Sequence, residues 1–124
     1  MLFSSFSFCK LDLRSRPLTT IDIVYTVRYA LYVGDAVEFD WDDENTKHLA
    51  AHKVTRAEFE QAMNSDPIDL DCEVIDDEDR YRAVGLTDNG AFLLLVYTIR
   101  NGKVRAVTAF PASASNRRSF LEKR

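Results

Sequence analysis

The most regular hydrophobic pattern in the chain lies between residues 68 and 74. Apolar and acidic side chains alternate there with a period of two, which predicts a β-strand with one buried face and one acidic, solvated face. The apolar positions are Ile68, Leu70, Cys72 and Val74, and the acidic positions are Asp69, Asp71 and Glu73.

Three more strands are predicted in the C-terminal half of the chain. Two turn sequences rich in Asn and Gly divide this half into two β-hairpins in series. The run from Phe92 to Val96 is apolar without interruption, as in a central strand covered on both faces. An antiparallel three-strand meander is therefore expected. Its strands are predicted at residues 80–87, 91–100 and 103–110, with turns at 88–90 and 101–102.

Two helices are predicted before the first of these strands, after a short strand at residues 37–41. Asp42 is a favourable N-cap for a helix that runs to about Ala51. Residues 55–58 read Thr-Arg-Ala-Glu, which is a capping box and predicts the start of a second helix. The buried face of the second helix should consist of Phe59, Ala62 and Met63.

A third helix is predicted at the C-terminus. Pro111 ends the last strand, and Ser113 or Ser115 can cap a helix that runs to about Lys123. The elements together predict an α+β fold in which two N-terminal helices pack on an antiparallel sheet.

Residues 1–33 differ from the rest, with a Ser/Phe-rich start and no clean period. One interpretation is an N-terminal extension that adds a strand or a helix. We favour another, in which the translation start is mis-assigned, because Val33 precedes Gly34 where a compact domain would begin and a valine codon can start bacterial translation. The domain itself is expected to span residues 34–124.

The length and composition predict one cytoplasmic domain with one hydrophobic core. The chain has 124 residues, 46% hydrophobic and 29% charged. Cys9 and Cys72 lack close spacing, so neither a disulfide framework nor a CxxC site is predicted. Basic residues follow the first apolar run, the wrong order for a secretory signal, and the apolar segment 21–33 is too short to cross a membrane.

Charge is divided unevenly along the chain. Residues 35–79 contain sixteen acidic and three basic residues, about −13 in formal charge, whereas residues 80–124 contain two acidic and nine basic residues, about +7. This division suggests an acidic surface for a basic partner and a basic surface for a polyanion.

The two histidines of the chain do not predict a metal site. His48 and His52 have the i, i+4 spacing that shares a helix face, but Leu49 stands where a zincin motif needs Glu, and no third ligand cluster is evident. Packing or surface roles are the simpler interpretation. Neither a nucleotide-binding glycine loop nor a nucleophile elbow is present, so no cofactor is expected.

Basic and aromatic residues are interleaved in the C-terminal half. On one strand such residues usually form a solvated face, but over three strands and a helix they favour contact with phosphates. The residues concerned are Arg80, Tyr81, Arg82, Tyr97, Arg100, Lys103, Arg105, Arg117 and Arg118.

The order of elements and several short motifs resemble the BrnT family of ribonuclease toxins from toxin–antitoxin pairs. The resemblance covers about residues 37–120, and its combined pattern is specific although each motif alone is weak. Its first part is Phe39-Asp40-Trp41-Asp42, Asn45, residues 48–55 and residues 58–62; its second part is Arg80-Tyr81, Gly85-Leu86-Thr87, Asn89-Gly90, Val96-Tyr97-Thr98 and residues 104–109.

The resemblance implies a RelE-like fold, metal-independent cleavage of RNA and neutralisation by a small BrnA-like ribbon-helix-helix antitoxin. Operator DNA would be contacted only through that antitoxin. On this basis Arg80 is the first candidate for phosphate binding, and His48 or His52 for proton transfer. Trp41 would serve core packing or base stacking. The further candidates for RNA binding are Arg82, Arg105, Arg117 and Arg118.

The sequence departs from the family pattern at Phe110, at Lys53 and at residues 114–116, where Ala-Ser-Asn replaces the usual Arg/Lys/Glu content before the final arginine pair. Phe110 stands where the family commonly has an arginine, and strand parity is expected to place Arg105 on the opposite face, so that it cannot substitute. Lys53 replaces a glycine at a point where the chain often needs a positive φ.

Three functions are therefore compatible with the sequence. The first is an active endoribonuclease toxin. The second is a BrnT-like domain with attenuated catalysis that binds the antitoxin and acts as a corepressor. The third is an unrelated α+β binding module.

Overall fold

The computed structural model describes Val27, Ala30 and residues 37–123 of the protein. Within residues 37–123 it contains three helices and four strands, so the predicted α+β class is confirmed. In chain order these are α1 (Asp43–Ala50), α2 (Arg56–Met63), β1 (Ile68–Ile75), β2 (Glu78–Leu86), β3 (Phe92–Arg100), β4 (Lys103–Pro111) and α3 (Ala114–Glu122).

The four strands form one antiparallel sheet in the order β1-β2-β3-β4. The predicted meander is confirmed, and β1 extends it by a further hairpin. The β1–β2 turn is made by Asp76 and Asp77, both with positive φ (53° and 62°), and the β3–β4 turn by Asn101 and Gly102 (55° and 76°). Positive φ at both turn residues gives the twist that two-residue hairpins require.

Apolar side chains cover both faces of the sheet. One cluster joins α1 and α2 to the sheet through residues such as Leu49, Phe59, Leu95 and Tyr97, and all four are at most 1% exposed. The other face carries a smaller cluster of Val84, Leu94 and Phe120, the last from α3. β3 contributes to both clusters, which confirms the predicted central strand.

The predicted helix starts are confirmed by their caps. Asp42 forms a capping box with Asn45 at the start of α1, and Thr55 forms one with Glu58 at the start of α2. Ser113, one of the two predicted candidates, caps α3. The predicted inner face of α2 is also confirmed, since Phe59, Ala62 and Met63 are fully buried.

The end of α1 corrects the expectation that His48 and His52 share a helix face. The helix ends at Ala50, and the chain turns at Lys53, whose φ is 61°. The N–H of Lys53 donates to the carbonyl of Ala50 and that of Val54 to the carbonyl of Leu49, the pattern of a Schellman motif. His52 therefore lies in the turn beyond the helix.

The short strand predicted at residues 37–41 is reduced to one bridge. Phe39 pairs with Val104 of β4 in parallel, and no longer strand forms in this described segment. Three hydrogen bonds stabilise the approach to α1, which is the segment of residues 37–42. Asp40 N–H donates to the Val104 carbonyl, Val104 N–H to the Glu38 carbonyl, and the Asn45 side chain to the Asp40 carbonyl.

Strand β1 is confirmed, but its apolar residues do not all face the same cluster. The register between β1 and β2 shifts between Asp69 and Asp71. Ile68 and Leu70 pack on the α3 side, whereas Cys72 packs on the side of α1 and α2. A bulge of this kind moves later side chains to the other face, which a period of two cannot reveal.

A second irregularity corrects the predicted positions of Arg105 and Phe110. The register between β3 and β4 shifts after Val96. Arg105 pairs with Thr98 and Phe110 with Leu94, and these two β3 residues are four apart on one face. Arg105 and Phe110 therefore lie on the same face of the sheet.

Most of the predicted extension, residues 1–33, lies outside the described residues. Val27 is helical, 7% exposed and part of the cluster under α1 and α2. Cys72 is disulfide-bonded, which the spacing of the cysteines did not predict. In the part of the chain that the structure describes, no helix has the length and hydropathy of a membrane span.

Candidate functional site

A cavity of about 340 Å³ lies between α1 and the ends of β2, β3 and β4. This volume is within the range of small-ligand sites, which begins at about 300 Å³. Its wall is mostly polar and contains charges of both signs. The side chains important for its chemistry are His48, Glu78, Arg80, Thr98, Arg100 and Arg105.

The register of the sheet brings these strand residues together. Tyr81 pairs with Tyr97, so the neighbouring residues Arg80 and Thr98 lie on the opposite face, and Thr98 pairs with Arg105. A row of polar side chains thus crosses three strands. Two residues further along β2 and β3, Glu78 and Arg100 form a second row on the same face.

Helix α1 supplies the remaining wall. Glu44, Asn45 and His48 line the cavity, and His48 follows Glu44 by four residues, so both lie on one side of the helix. Asn45 is 3% exposed and has a structural role, because its side chain completes the capping box and donates to the Asp40 carbonyl at 2.8 Å. His48 is exposed and is the histidine of α1 that lines this cavity.

Glu78 contacts two of the arginines. One carboxylate oxygen accepts a long hydrogen bond from Arg80 Nε at 3.4 Å, and the other accepts a short one from Arg100 Nη2 at 2.6 Å. The hydrogen bond from Arg100 to Glu78 raises the pKa of Arg100 above its ordinary value. Arg100 is therefore a permanent cation at the cavity.

Arg105 is the most enclosed cation of the cavity wall, with a side chain 11% exposed. Its guanidinium lies 2.8 Å from Asp42, 3.6 Å from Asp40 and 3.7 Å from Glu44. The N–H of Asn45 and then Arg105 hold the pKa of Asp42 below its usual value, against the opposing effect of desolvation. Arg105 thereby joins β4 to the start of α1.

The structure brings three predicted site residues, His48, Arg80 and Arg105, into one cavity. His52 lies apart from them, with its ring centre 5.5 Å from that of Phe110. Of the two histidines predicted for proton transfer, His48 is therefore the one that lies beside the arginines.

Trp41 does not line the cavity but connects the approach to α1 with α2. Its Nε1 donates to Glu60 at 2.7 Å, and its ring packs edge-on against Phe59 with a centroid distance of 5.6 Å. Phe39 stacks on it, and the Arg56 guanidinium lies 5.5 Å from the ring centre. These contacts favour the packing role for Trp41 over base stacking.

The remaining predicted arginines lie outside the cavity. Arg82 makes two hydrogen bonds to the Asp71 carboxylate at 2.7 and 2.8 Å on the exposed surface of β1 and β2. Arg117 and Arg118 are exposed on α3 and have no ion pair within residues 37–123.

Ion pairs join the acidic and basic halves of the chain. Arg82 pairs with Asp71, Arg100 with Glu78 and Arg105 with Asp42, so basic residues of the second half bind acidic residues of the first. These pairs offset part of the charge of each half, so not every charged residue contributes to the acidic and basic surfaces that the sequence suggests.

Sequence reasoning missed Glu78 as a member of the site and named Arg100 only within the basic and aromatic set of the C-terminal half. Glu78 is the third of four consecutive acidic residues and had no distinguishing motif. The Asp76-Asp77 turn that starts β2 at Glu78 was the available signal, since aspartate adopts positive φ more readily than most residues.

This arrangement can bind an anion and move a proton beside it. Guanidinium groups hold phosphate oxygens by directed hydrogen bonds, and an imidazole can take up or release a proton in general acid–base catalysis. Among the described residues, no group of three His, Cys, Asp or Glu side chains is arranged to hold a metal ion.

Comparison with known proteins gives one clear result. The family model for "Ribonuclease toxin, BrnT, of type II toxin-antitoxin system" matches residues 41–116, which is more than half of the chain. A search of curated proteins found no match. The matched region contains all eight cavity-lining residues named above. The chain therefore belongs to the BrnT family of ribonuclease toxins of type II toxin–antitoxin systems.

Proposed function

We propose that this protein is an endoribonuclease that cleaves RNA in the cytoplasm without a metal ion and has the RelE-like arrangement of related toxins. The observation that carries the proposal is the cavity in which His48, Arg80 and Arg100 meet, inside the region matched by a ribonuclease toxin family. The antiparallel sheet with helices on both faces is compatible with the RelE-like arrangement.

In the proposed mechanism the ribose 2′-oxygen attacks the adjacent phosphorus while the bond to the 5′-oxygen breaks. His48 takes the 2′-hydroxyl proton or returns a proton to the leaving oxygen. Arg80 stabilises the negative charge that develops on the non-bridging oxygens. Every bond change takes place on the RNA, so no redox partner or co-substrate is needed.

As a type II toxin, the protein has an antitoxin partner. We propose a BrnA-like ribbon-helix-helix protein that also contacts the operator DNA. The exposed Arg117 and Arg118 of α3 and the acidic surface of β1 are candidate contacts for this partner or for RNA. The gene next to that of the toxin should encode the antitoxin, and co-purification of the two proteins tests the pairing.

The proposed activity is tested by expressing the protein without antitoxin while following growth and RNA integrity. His48→Ala and Arg80→Ala should each relieve growth arrest, whereas His52→Ala should not. With purified protein, cleavage should continue in excess EDTA. An EDTA-sensitive activity, or arrest that survives Arg80→Ala, would contradict the assignment.

Binding to single-stranded RNA provides a second test. Arg80→Ala should weaken binding and flatten the salt dependence, because each phosphate that the protein no longer neutralises lowers the slope by about 0.7. Arg82→Ala is the matched control on the same strand, because Arg82 already binds Asp71 outside the cavity. Equal changes in both variants would place the RNA-binding surface along β2 and not in the cavity.

The alternative function is an attenuated toxin that binds its antitoxin and acts as corepressor. Two observations favour it: the cavity arginines are already paired with carboxylates, and Phe110 stands in place of an arginine. Normal growth on expression without antitoxin, together with tight antitoxin binding, would establish this alternative.

A further inference from the structure

Glu78 lies between two arginines on neighbouring strands of the cavity wall. Its two carboxylate oxygens bind different partners, Arg80 on β2 and Arg100 on β3. The Glu78 side chain is 25% exposed, less than that of Arg80 at 28% and of Arg100 at 49%. The Glu78 and Arg80 side chains are therefore enclosed to a similar degree, and Arg100 is the more exposed of the two arginines, nearer the cavity mouth.

The contacts leave phosphate-binding donors available on both arginines. Glu78 engages Arg80 only through Nε, and both terminal nitrogens of Arg80 have no protein partner within the described residues. It engages Arg100 through Nη2 and leaves Nε and Nη1 without a partner in the same part of the chain. Because a guanidinium carries five donors in a rigid fork, fixing one nitrogen also fixes where the others point.

The same carboxylate makes the close approach of the two cations favourable. Like charges on neighbouring strands repel each other, and the attraction of both cations to the shared carboxylate offsets that repulsion. The position of Glu78 is itself fixed, since the two-residue turn at Asp76 and Asp77 ends directly before it and starts β2.

We propose that Glu78 is a positioning residue that holds Arg80 and Arg100 as a pair of donors for one phosphodiester of the RNA. Arg80 binds the phosphate from inside the cavity and Arg100 from its mouth. This inference rests on the proposed ribonuclease function, and it gives Glu78 and Arg100, which the proposed mechanism does not use, a role at the site.

A positioning role predicts opposite effects on binding and on rate. Glu78→Gln removes a negative charge beside the RNA, so the affinity for RNA should stay constant or increase. The arginines lose their fixed orientation, and the single-turnover cleavage rate should fall about tenfold to a hundredfold, as for misplacement by about 1 Å. Glu78→Asp keeps the charge but has a shorter reach, so its rate should fall as well.

Asp71→Asn is the matched control, because it removes a carboxylate from the Arg82 pair outside the cavity. Its cleavage rate should equal that of the wild type. If Glu78→Gln cleaves as fast as the wild type or faster, Glu78 does not position the arginines and instead competes with phosphate, and the proposal is wrong.

A measurement independent of cleavage separates this inference from the proposed function. The side-chain Nε–H signals of Arg80 and Arg100 can be followed by NMR during titration with inorganic phosphate. Both signals should shift together in the wild type, and the joint shift should disappear in Glu78→Gln. Joint shifts in a protein that cleaves no RNA would support the pair and contradict the ribonuclease function. Shifts that are absent, or unchanged in the variant, would overturn the pair whatever the activity.

Discussion

Asp42 binds Arg105 with the carboxylate that also caps helix α1. One oxygen accepts the Asn45 N–H at 3.0 Å, and the other lies 2.8 Å from Arg105 Nη2. A single side chain therefore fixes both the first turn of α1 and its attachment to β4. The cavity depends on this attachment, since α1 provides its histidine and β4 provides Arg105.

This relationship predicts a loss of stability in acid. The pKa of Asp42 is lower in the folded protein than its ordinary value of 3.8, so its stabilising contribution is complete above that pH and is lost as the pH falls through the folded value. Asp42→Asn keeps a good N-cap but cannot titrate. Urea unfolding between neutral pH and about pH 3 should show a smaller acid-induced decrease in stability for this variant. Asp43 has no ion pair within the described residues, so Asp43→Asn should show the same acid-induced decrease in stability as the wild type.

Lys53→Gly should stabilise the protein by about 1 kcal/mol, because a left-handed conformation costs a non-glycine residue about 1–2 kcal/mol and glycine offsets part of the gain by its flexible unfolded state. Lys53 has a φ of 61° after α1. Lys53→Ala, which removes the charge but retains the Cβ, is the control for the denaturant midpoint. Equal midpoints for the Gly and Ala variants would show that the backbone strain is negligible.

Gly85→Ala should destabilise the fold by about 1–3 kcal/mol, the usual effect of overpacking. An added Cβ would lie 2.4 Å from the Ala62 carbonyl oxygen of α2 and 2.9 Å from the Ala62 Cβ. Adding Ala62→Gly removes only the second of these close approaches, so the double variant should remain less stable than Ala62→Gly alone. Full additivity of the two single changes would argue against a direct clash.

Phe110→Arg should increase toxicity if the missing arginine limits catalysis, since one well-placed donor is worth about a hundredfold to a thousandfold in rate. Phe110 is half-buried beside the Val84, Leu94 and Phe120 cluster, so the change should also lower the melting temperature. Phe110→Leu is the control, because it removes the aromatic ring that packs against His52 without adding charge. Strong toxicity of the wild type would remove the case for attenuation.

A chain that starts at Gly34 should fold cooperatively but with lower stability. Val27 is buried in the main cluster, and removing one such side chain costs about 1–3 kcal/mol. Val27→Ala in the full chain measures how much the buried Val27 side chain contributes to the free energy of unfolding. The shortened chain also lacks Cys9, the second cysteine of the sequence, so the reference for its stability is a Val27→Ala, Cys72→Ser double variant. If the shortened chain is destabilised far more than this double variant or fails to fold, residues 1–33 supply an essential element and the mis-assigned start is wrong.

The local elements could be predicted because their signals are short-range. Asp42 and Thr55 cap helices through residues three positions away. Asn and Gly at positions 101 and 102 are the residue types that favour positive φ, so they determine the conformation of that turn. The site could be predicted only in part. Arg80 and His48 were identified as chemical types, but their meeting depends on strand register and on the attachment of α1 to β4.

The errors arose where one residue changes the geometry of a whole strand. The register shift between β3 and β4 after Val96 puts Arg105 and Phe110 on one face of the sheet, and no residue type at that point predicts the shift. Lys53 closes α1 early and separates His52 from His48. The charge pattern also could not show which charges pair, because residues of the two halves, such as Asp71 and Arg82, meet only in the fold.

The sheet order repeats the chain order, so every strand finds its partner immediately before or after it in sequence. Such short loops close at low entropic cost, and folds with local pairing form quickly. The link between the approach to α1 and β4 is the exception, since Phe39 and Val104 are separated by the rest of the sheet. We expect this pairing to form after the pairings within the sheet during synthesis. The cavity would then form only after β4 has left the ribosome, so the newly made chain could not act on RNA until nearly all of the domain has been synthesised.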